Sequence, residues 1–475
     1  MNILTHALGV IGILSFLITG CGGGGSSSPT GTGGGTTPTI TSFNPSSGAV
    51  GTTITISGTN FDPTAANNSV KFNGTSAAVS AASATSLTVT VPNGATSGTI
   101  TISTSAGTAT SATSFSVTAS GGGTSLLGGT IQGSALTLTA GVTTYAGTIP
   151  GTAWVTTGFT DGIGTAAKFD LPKGITTDGT NLYVADSNNC ILRKVVIATA
   201  AVTTLAGTGK TCGTTDATGT AARFGAVTGI TTDGTSLYVA DRSNHTIRKV
   251  DIATGVVTTL AGTPGVAGST NGTGSATSFN LPTGITTDGT HLYVSEQGTH
   301  TIRKIVIATG ATTTLAGTSG TWGSADGTGA AAVFNQPAGM TMIGGDIYVA
   351  DSFNHAIRKI VASTGATTTV AGPVSVISMG TTDGVGTAAR FNNPNSVTTD
   401  GLNLYVTDGN NHCIRKVELA TANVTTLAGT AGTTPASTDG TGPAAGFGNG
   451  MVGITSDGTH LYVADTGNGI IRRIQ

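Results

Sequence analysis

The chain is 475 residues long, more than one domain's worth, and carries a formal net charge of −2 with only 8% charged residues. So sparse and balanced a charge offers no basic field for nucleic acid phosphates and no acidic or basic tail. The 75 glycines, set among short runs of Thr, Val and Ile, suit an all-β chain with many tight turns and suit helices poorly.

Residues 7–19 form an apolar stretch too short to span a membrane as a helix but of the right length for a signal-peptide core. It ends in Leu17-Ile18-Thr19-Gly20-Cys21, which resembles the bacterial lipoprotein signal. The resemblance implies removal of residues 1–20, acylation of the Cys21 sulfur and an exported, membrane-anchored protein. With Gly22 rather than Asp after the cysteine, it further implies the outer membrane or cell surface. Residues 21–37, rich in Gly, Ser and Thr, read as a flexible tether with a span of roughly 20–25 Å.

Residues 38–118 contain alternating runs at Thr53–Ile56, Val70–Phe72, Leu87–Val91, Thr99–Ile102 and Phe115–Val117, separated by Gly, Asn, Pro and Ser. That period and spacing predict a small antiparallel sandwich. The stretch Ile40-Thr41-Ser42-Phe43-Asn44-Pro45-Ser46-Ser47-Gly48 and the later Ile56-Ser57-Gly58-Thr59-Asn60-Phe61 resemble the IPT/TIG immunoglobulin-like family. The resemblance implies a spacer or adhesive module. Residues 119–141 read as a linker.

From residue 142 the chain repeats itself. Leu-Tyr-Val-Ala-Asp and its variants recur around Tyr183, Tyr238, Tyr293, Tyr348, Tyr405 and Tyr462, 55 or 57 residues apart. Each unit reads Gly-Ile-Thr-Thr-Asp-Gly, Leu-Tyr-Val-Ala-Asp, Ile-Arg-Lys-Val and Val-Thr-Thr-Leu-Ala-Gly, the four strands of one propeller blade. The last unit stops after its third strand, while Val-Thr-Thr-Tyr-Ala-Gly at 142–147 stands ahead of the first unit as a spare fourth. Closing six units in a ring makes that spare strand the clasp and removes the exposed edges. Asn244-His245, Asn354-His355 and Asn411-His412 at the start of the third strands resemble the NHL-repeat family, which implies a six-bladed β-propeller over 142–475.

Most recurring polar residues read as scaffold. The Asp of Asp178-Gly179, Asp233-Gly234, Asp288-Gly289, Asp400-Gly401 and Asp457-Gly458 suits a hairpin turn in which both central residues take positive φ. The Asp-Gly-x-Gly of the longer connectors, at 161, 326, 383 and 439, is followed eight residues later by a Phe; it lacks the acidic run of a calcium loop and reads as loop packing anchored by that Phe. Arg193, Arg248, Arg303, Arg358, Arg415 and Arg472 are expected to pair with the acid ending the preceding strand. His245, His300, His355 and His412 fall at one repeat position and should lie spread around the ring, which makes no metal cluster.

Cys190 and Cys212 fall at the same end of one blade, and an exported protein could join them as a disulfide; Cys413 is left over and expected to be buried. The fourth-to-first connectors and the second-to-third turns share one face, the default ligand side. Its candidates are Trp154, Lys210 and Trp322 in the long connectors and Arg242 and Phe353 in the turns.

Two functions follow. The first is a non-catalytic surface module that recognises a protein or glycan of the cell envelope through that face, without cofactor, metal or nucleic acid. The second is a metal-dependent lyase or lactonase, because enzymes of those kinds use related propellers. Such a site needs His, Asp or Glu on the innermost strands, which read Gly-Ile-Thr-Thr, Gly-Met-Thr-Met and Ser-Val-Thr-Thr and are expected to place no ionisable side chain in the channel. No nucleophile motif or phosphate-cradling loop is present, and no catalytic residue is assigned.

Overall fold

The computed structural model is all β and describes residues 36–48, 52–92, 95, 98–117, 135–149, 158–374 and 378–475. The signal segment, Cys21 and Trp154 lie outside the described residues.

Residues 39–117 form two sheets. One runs Thr39–Asn44, Thr53–Thr59, Ser86–Thr90 and Val79–Ala82; the other runs Ser47–Gly48, Gly107–Val117, Gly98–Thr104, Ser69–Phe72 and Thr75–Ala77. The alternation turns Ile54, Ile56, Leu87 and Val89 of the first sheet onto Val70, Phe72, Ile100 and Ile102 of the second, with Phe115 packed edge-on against Phe43 and Phe72.

The rest of the chain is a closed ring of six antiparallel sheets. Blade 1 comprises Pro172–Thr177, Asn181–Asp186, Ile191–Val196 and Ala201–Ala206, from hub to rim, and the next four blades repeat that order. Blade 6 has Ile454–Ser456, Leu461–Asp465 and Ile470–Ile474 from the end of the chain, and its fourth strand is Gly141–Ala146. Val142 pairs with Ile474 and Thr144 with Arg472, so the two distant segments make one sheet. Val142 enters the core between blades 5 and 6 and Ala146 the core between blades 6 and 1. Leu136 and Leu138, in the stretch expected to be linker, pack on the first of these cores, and the Leu136 amide donates to Asp400 at 3.0 Å.

Each blade is covered on both faces by its neighbours, which is why the second strands read as unbroken Leu-Tyr-Val-Ala and are buried throughout. The innermost strands approach closely because of their glycines: a Cβ on Gly174 would run into the Thr228 carbonyl, and one on Gly284 into that of Ala338. Five of the six blades also gain a two-residue edge strand that the sequence reading missed. In blade 1 it is Gly162–Ile163, the Gly-x of Asp-Gly-x-Gly, laid along the blade's own fourth strand.

The recurring arginines hold each blade to its incoming connector. In blade 4, Arg358 donates to Asp351 at 2.8 Å and the Val333 carbonyl at 3.1 Å through one nitrogen, and to Asp326 at 2.8 Å and the Ala325 carbonyl at 3.0 Å through the other. Its guanidinium lies 5.3 Å from the Phe334 ring centroid. Asp326, the Asp of Asp-Gly-x-Gly, also accepts from the Thr369 amide and hydroxyl on the fourth strand. Burial pushes the Asp351 carboxyl up to about 6, against the pull of the Arg358 charge.

The Asp-Gly turns differ from expectation. Gly179, Gly234, Gly289, Gly401 and Gly458 have φ between 84° and 92°, but the aspartates before them do not take positive φ. The carboxylate instead ties the turn together. Asp288 accepts from the Thr290 and His291 amides at 2.8 and 2.6 Å and from the Tyr293 hydroxyl at 2.9 Å. In blade 4 both Gly344 and Gly345 have positive φ and no such carboxylate is present.

Arg358→Met should destabilise the chain by about 3–5 kcal/mol, because it leaves Asp351 buried without its cation. Equilibrium denaturation measures this, and a loss under about 1 kcal/mol would contradict the role assigned to the pair. A second expectation concerns acid. Burial opposes the Asp288 charge, but the hydrogen bonds outweigh it and hold the carboxyl at about 2. The unfolded chain therefore takes up this proton first, and stability falls as pH drops from the ordinary value of 3.8 toward 2. Asp288→Asn should flatten that fall, and unchanged pH curves for the two proteins would refute the assignment.

Candidate functional site

The six second-to-third turns emerge on the same face as the long connectors. Each ends in a left-handed residue: Cys190, His245, His300, His355, His412 and Gly469, with φ from 54° to 66°, and all but the blade 3 turn before His300 are short 3-10 turns. The histidines serve as joints between blades. Nδ1 of His245, His300 and His355 accepts from the amides of Leu281, Gln336 and Asn393, which open the first strand of the following blade, at 3.0 to 3.2 Å. Burial holds these three imidazoles below their usual range, in keeping with a neutral ring whose nitrogen accepts. Among the described residues no group of three His, Cys, Asp or Glu side chains is placed to hold a metal ion.

The candidates on this face have different settings. Cys190 and Cys212 are joined by a disulfide with Cα atoms 5.3 Å apart, pinning the connector after blade 1 to the turn of that blade. Closing a loop with a sequence separation of 22 stabilises by about 3 kcal/mol in the chain-entropy model. Cys413 is a buried free thiol, its pKa raised by that burial. The Lys210 ammonium lies 3.6 Å from the buried Asp170 carboxylate, so part of its charge is already answered. Trp322 and Phe353 are 63% and 43% exposed, and Phe159, Val266 and Met379 in other connectors of the face are exposed as well.

Arg242 stands apart from the rest. It lines a cavity of about 260 Å³ at the mouth of the central channel, together with Lys173, Gln297, Asn395 and Ser396. The floor is apolar, made by Ile175, Ile230, Ile285, Met340, Val397 and Ile454. This corrects the expectation that no ionisable side chain faces the channel. Lys173 sits on the innermost strand of blade 1, just before the recurring Gly-Ile-Thr-Thr. The pairing with the second strand shifts register between Pro172 and Ile175, so simple alternation from the motif does not give the direction of the Lys173 side chain. Burial, with a smaller push from Arg242, holds the Lys173 ammonium below its usual range. Arg242 donates to the Gln297 side chain at 3.3 Å. Among the described residues neither Lys173 nor Arg242 has a carboxylate partner, and the cavity lining contains no Asp, Glu, His or Cys.

Comparison with known proteins adds family and fold. The IPT/TIG domain model matches residues 38–119, and the NHL repeat model matches residues 391–417, in blade 5. Over 278 residues the chain is 30% identical to NHL repeat-containing protein 2 of Homo sapiens, a match covering 52% of this chain and 38% of that protein. It is 32% identical over 253 residues to Protein SUPPRESSOR OF QUENCHING 1, chloroplastic, of Arabidopsis thaliana, covering 50% of this chain and 24% of that one. The match thus spans well under half the length of either relative. Among solved structures, an auxiliary nutrient binding protein from Bacteroides thetaiotaomicron VPI-5482 aligns with a TM-score of 0.53 at 20% identity, covering 93% of this chain and 98% of that one. A second auxiliary nutrient binding protein, from Bacteroides ovatus ATCC 8483, gives 0.53 at 19%, covering 92% and 97%. At that identity the likeness concerns the fold.

Proposed function

We propose, for a chain that joins an IPT/TIG domain to an NHL-repeat propeller, that it is an exported, lipid-anchored binding protein that captures a glycan or protein on the long-connector face. The observation that carries this reading is the combination on that face of exposed Trp322 and Phe353 with a hub cavity lined by amides, hydroxyls and two cations. Flat apolar rings at a rim and convergent polar groups in a hollow suit sugar recognition, with stacking outside and hydrogen bonding within. The names of the two Bacteroides structures, both nutrient-binding proteins, agree with it. The alternative, a metal-dependent lyase or lactonase, would draw its ligands from the innermost strands, and their side chains at the hub supply no carboxylate, imidazole or thiol. One tightly held zinc or calcium per chain, in protein purified without chelator, would favour that alternative.

The anchor rests on Cys21 at the end of the apolar leader. Labelled fatty acid should be incorporated into the chain in a bacterial host and lost in Cys21→Ser, and equal labelling of both would remove the anchor from the proposal. For recognition, the immobilised full chain should retain a subset of a glycan panel or of envelope proteins. Trp322→Ala with Phe353→Ala should weaken that retention by about tenfold, roughly 1.4 kcal/mol. Retention equal to that of the unaltered chain would rule out this face.

A further inference from the structure

The hub cavity is not six-fold in its chemistry. At the position of Lys173 the other blades present Thr228, Thr283, Ala338, Asn395 and Val452. At the turn position of Arg242 they present Ser187, Gln297, Ser352, Gly409 and Thr466. Where a hydroxyl occupies that turn, the scaffold can use it: Ser352 donates to the Pro394 carbonyl and Thr466 to that of Pro172, both at 2.6 Å, each tying one blade to the next. The small residue at 409 is also structural, since a Cβ there would run into the Asn395 side chain. Arg242 and Gln297 abandon that joint in adjacent blades and line the cavity instead.

From this geometry we infer that the hub cavity is a site for a single small sugar acid, its carboxylate held by Arg242 and Lys173. The inference rests on the binding reading above. Two half-buried cations share one hollow with no acid in its lining, an arrangement that favours an anion on desolvation grounds. A guanidinium presents a planar fork suited to a carboxylate, and the ammonium adds a second charge beside it. The Gln297 amide and the Ser396 hydroxyl offer partners to ring hydroxyls, with the Asn395 side chain beside them donating to the Met451 carbonyl at 2.8 Å through its nitrogen, while the Ile, Met and Val floor takes a C–H face. About 260 Å³ lies at the small end of ligand sites, room for one ring rather than a polymer.

The test is calorimetric titration of the full chain with galacturonate, galactose, galactose 6-phosphate and inorganic phosphate. Galacturonate should bind at least tenfold more tightly than galactose and than either phosphate. Lys173→Met and Arg242→Gln should each weaken it by tenfold or more, while Arg223→Gln, at a half-buried arginine outside the cavity that bonds the Thr220, Ala221 and Ala222 carbonyls, should leave it unchanged. Thermal melts of the variants, compared with that of the unaltered chain, separate loss of the site from loss of the fold. Galactose binding as tightly as galacturonate would overturn the inference, as would tighter binding of a phosphate or a titration indifferent to both cavity variants. Should the rim still retain its glycan or protein while no anion enters the hub, this inference falls and the binding reading stands. Should nothing be retained at either place, both fall.

Discussion

A guanidinium buried in every blade is the constraint on which the rest of the structure depends. Burying a cation is costly unless its donors are used and an opposite charge is at hand. In blade 1 Arg193 donates to Asp186 and the Lys168 carbonyl, to Asp161 and the Thr160 carbonyl, and lies 5.0 Å from the Phe169 ring centroid. Those partners come from the second strand and from the connector that leads into the blade. Satisfying one side chain therefore fixes where a long loop runs, and six repetitions fix the face on which all the long loops emerge.

Blade 3 shows what this requirement tolerates. In the other blades an asparagine after the second strand, such as Asn189, donates to the buried aspartate, at 2.9 Å in blade 1. Blade 3 has Thr299 at that position and Glu296 in place of the aspartate. The longer acid reaches Arg303 at 2.8 Å and takes a replacement donor from the Thr301 hydroxyl at 3.0 Å, and Asn271 substitutes for the connector aspartate at 3.0 Å. Three residues differ together and the hydrogen-bond count around the guanidinium is kept. A blade can change its letters so long as the buried cation stays answered.

This explains what could be read from the sequence. A motif repeated six times with unequal ends states both its strand order and its clasp, because each blade must bury the same faces and the last cannot do so without Val142 and Ala146. Features outside the motif were harder to see. The edge strand Gly162–Ile163 has no hydrophobic period, since it is only two residues of backbone pairing. Leu136 and Leu138 lie ahead of the repeat and so read as linker. The turn aspartates looked like left-handed hairpin residues, whereas their value lies in a carboxylate that caps the turn and meets the tyrosine hydroxyl. Lys173 escaped notice because the strand begins at Pro172, before the letters that recur.

The same logic separates scaffold from function at the hub. On the axis of a ring with six equivalent blades, a ligand would see no preferred orientation. Here Lys173, Arg242 and Gln297 come from three consecutive blades, while Ala338 and Val452 stand at the Lys173 position in blades 4 and 6. The hub thus has a cationic, hydrogen-bonding side and a more apolar one, in a ring whose backbone is otherwise repetitive. Orientation of a bound molecule follows from that break in symmetry. Because the glycines at 174, 229, 284, 339 and 453 keep the innermost strands close, side chains that reach into the mouth from this end are displayed on a rigid rim. Rigid display of a few unrepeated polar groups is what lets a closed repeat, built for stability, choose one ligand over another.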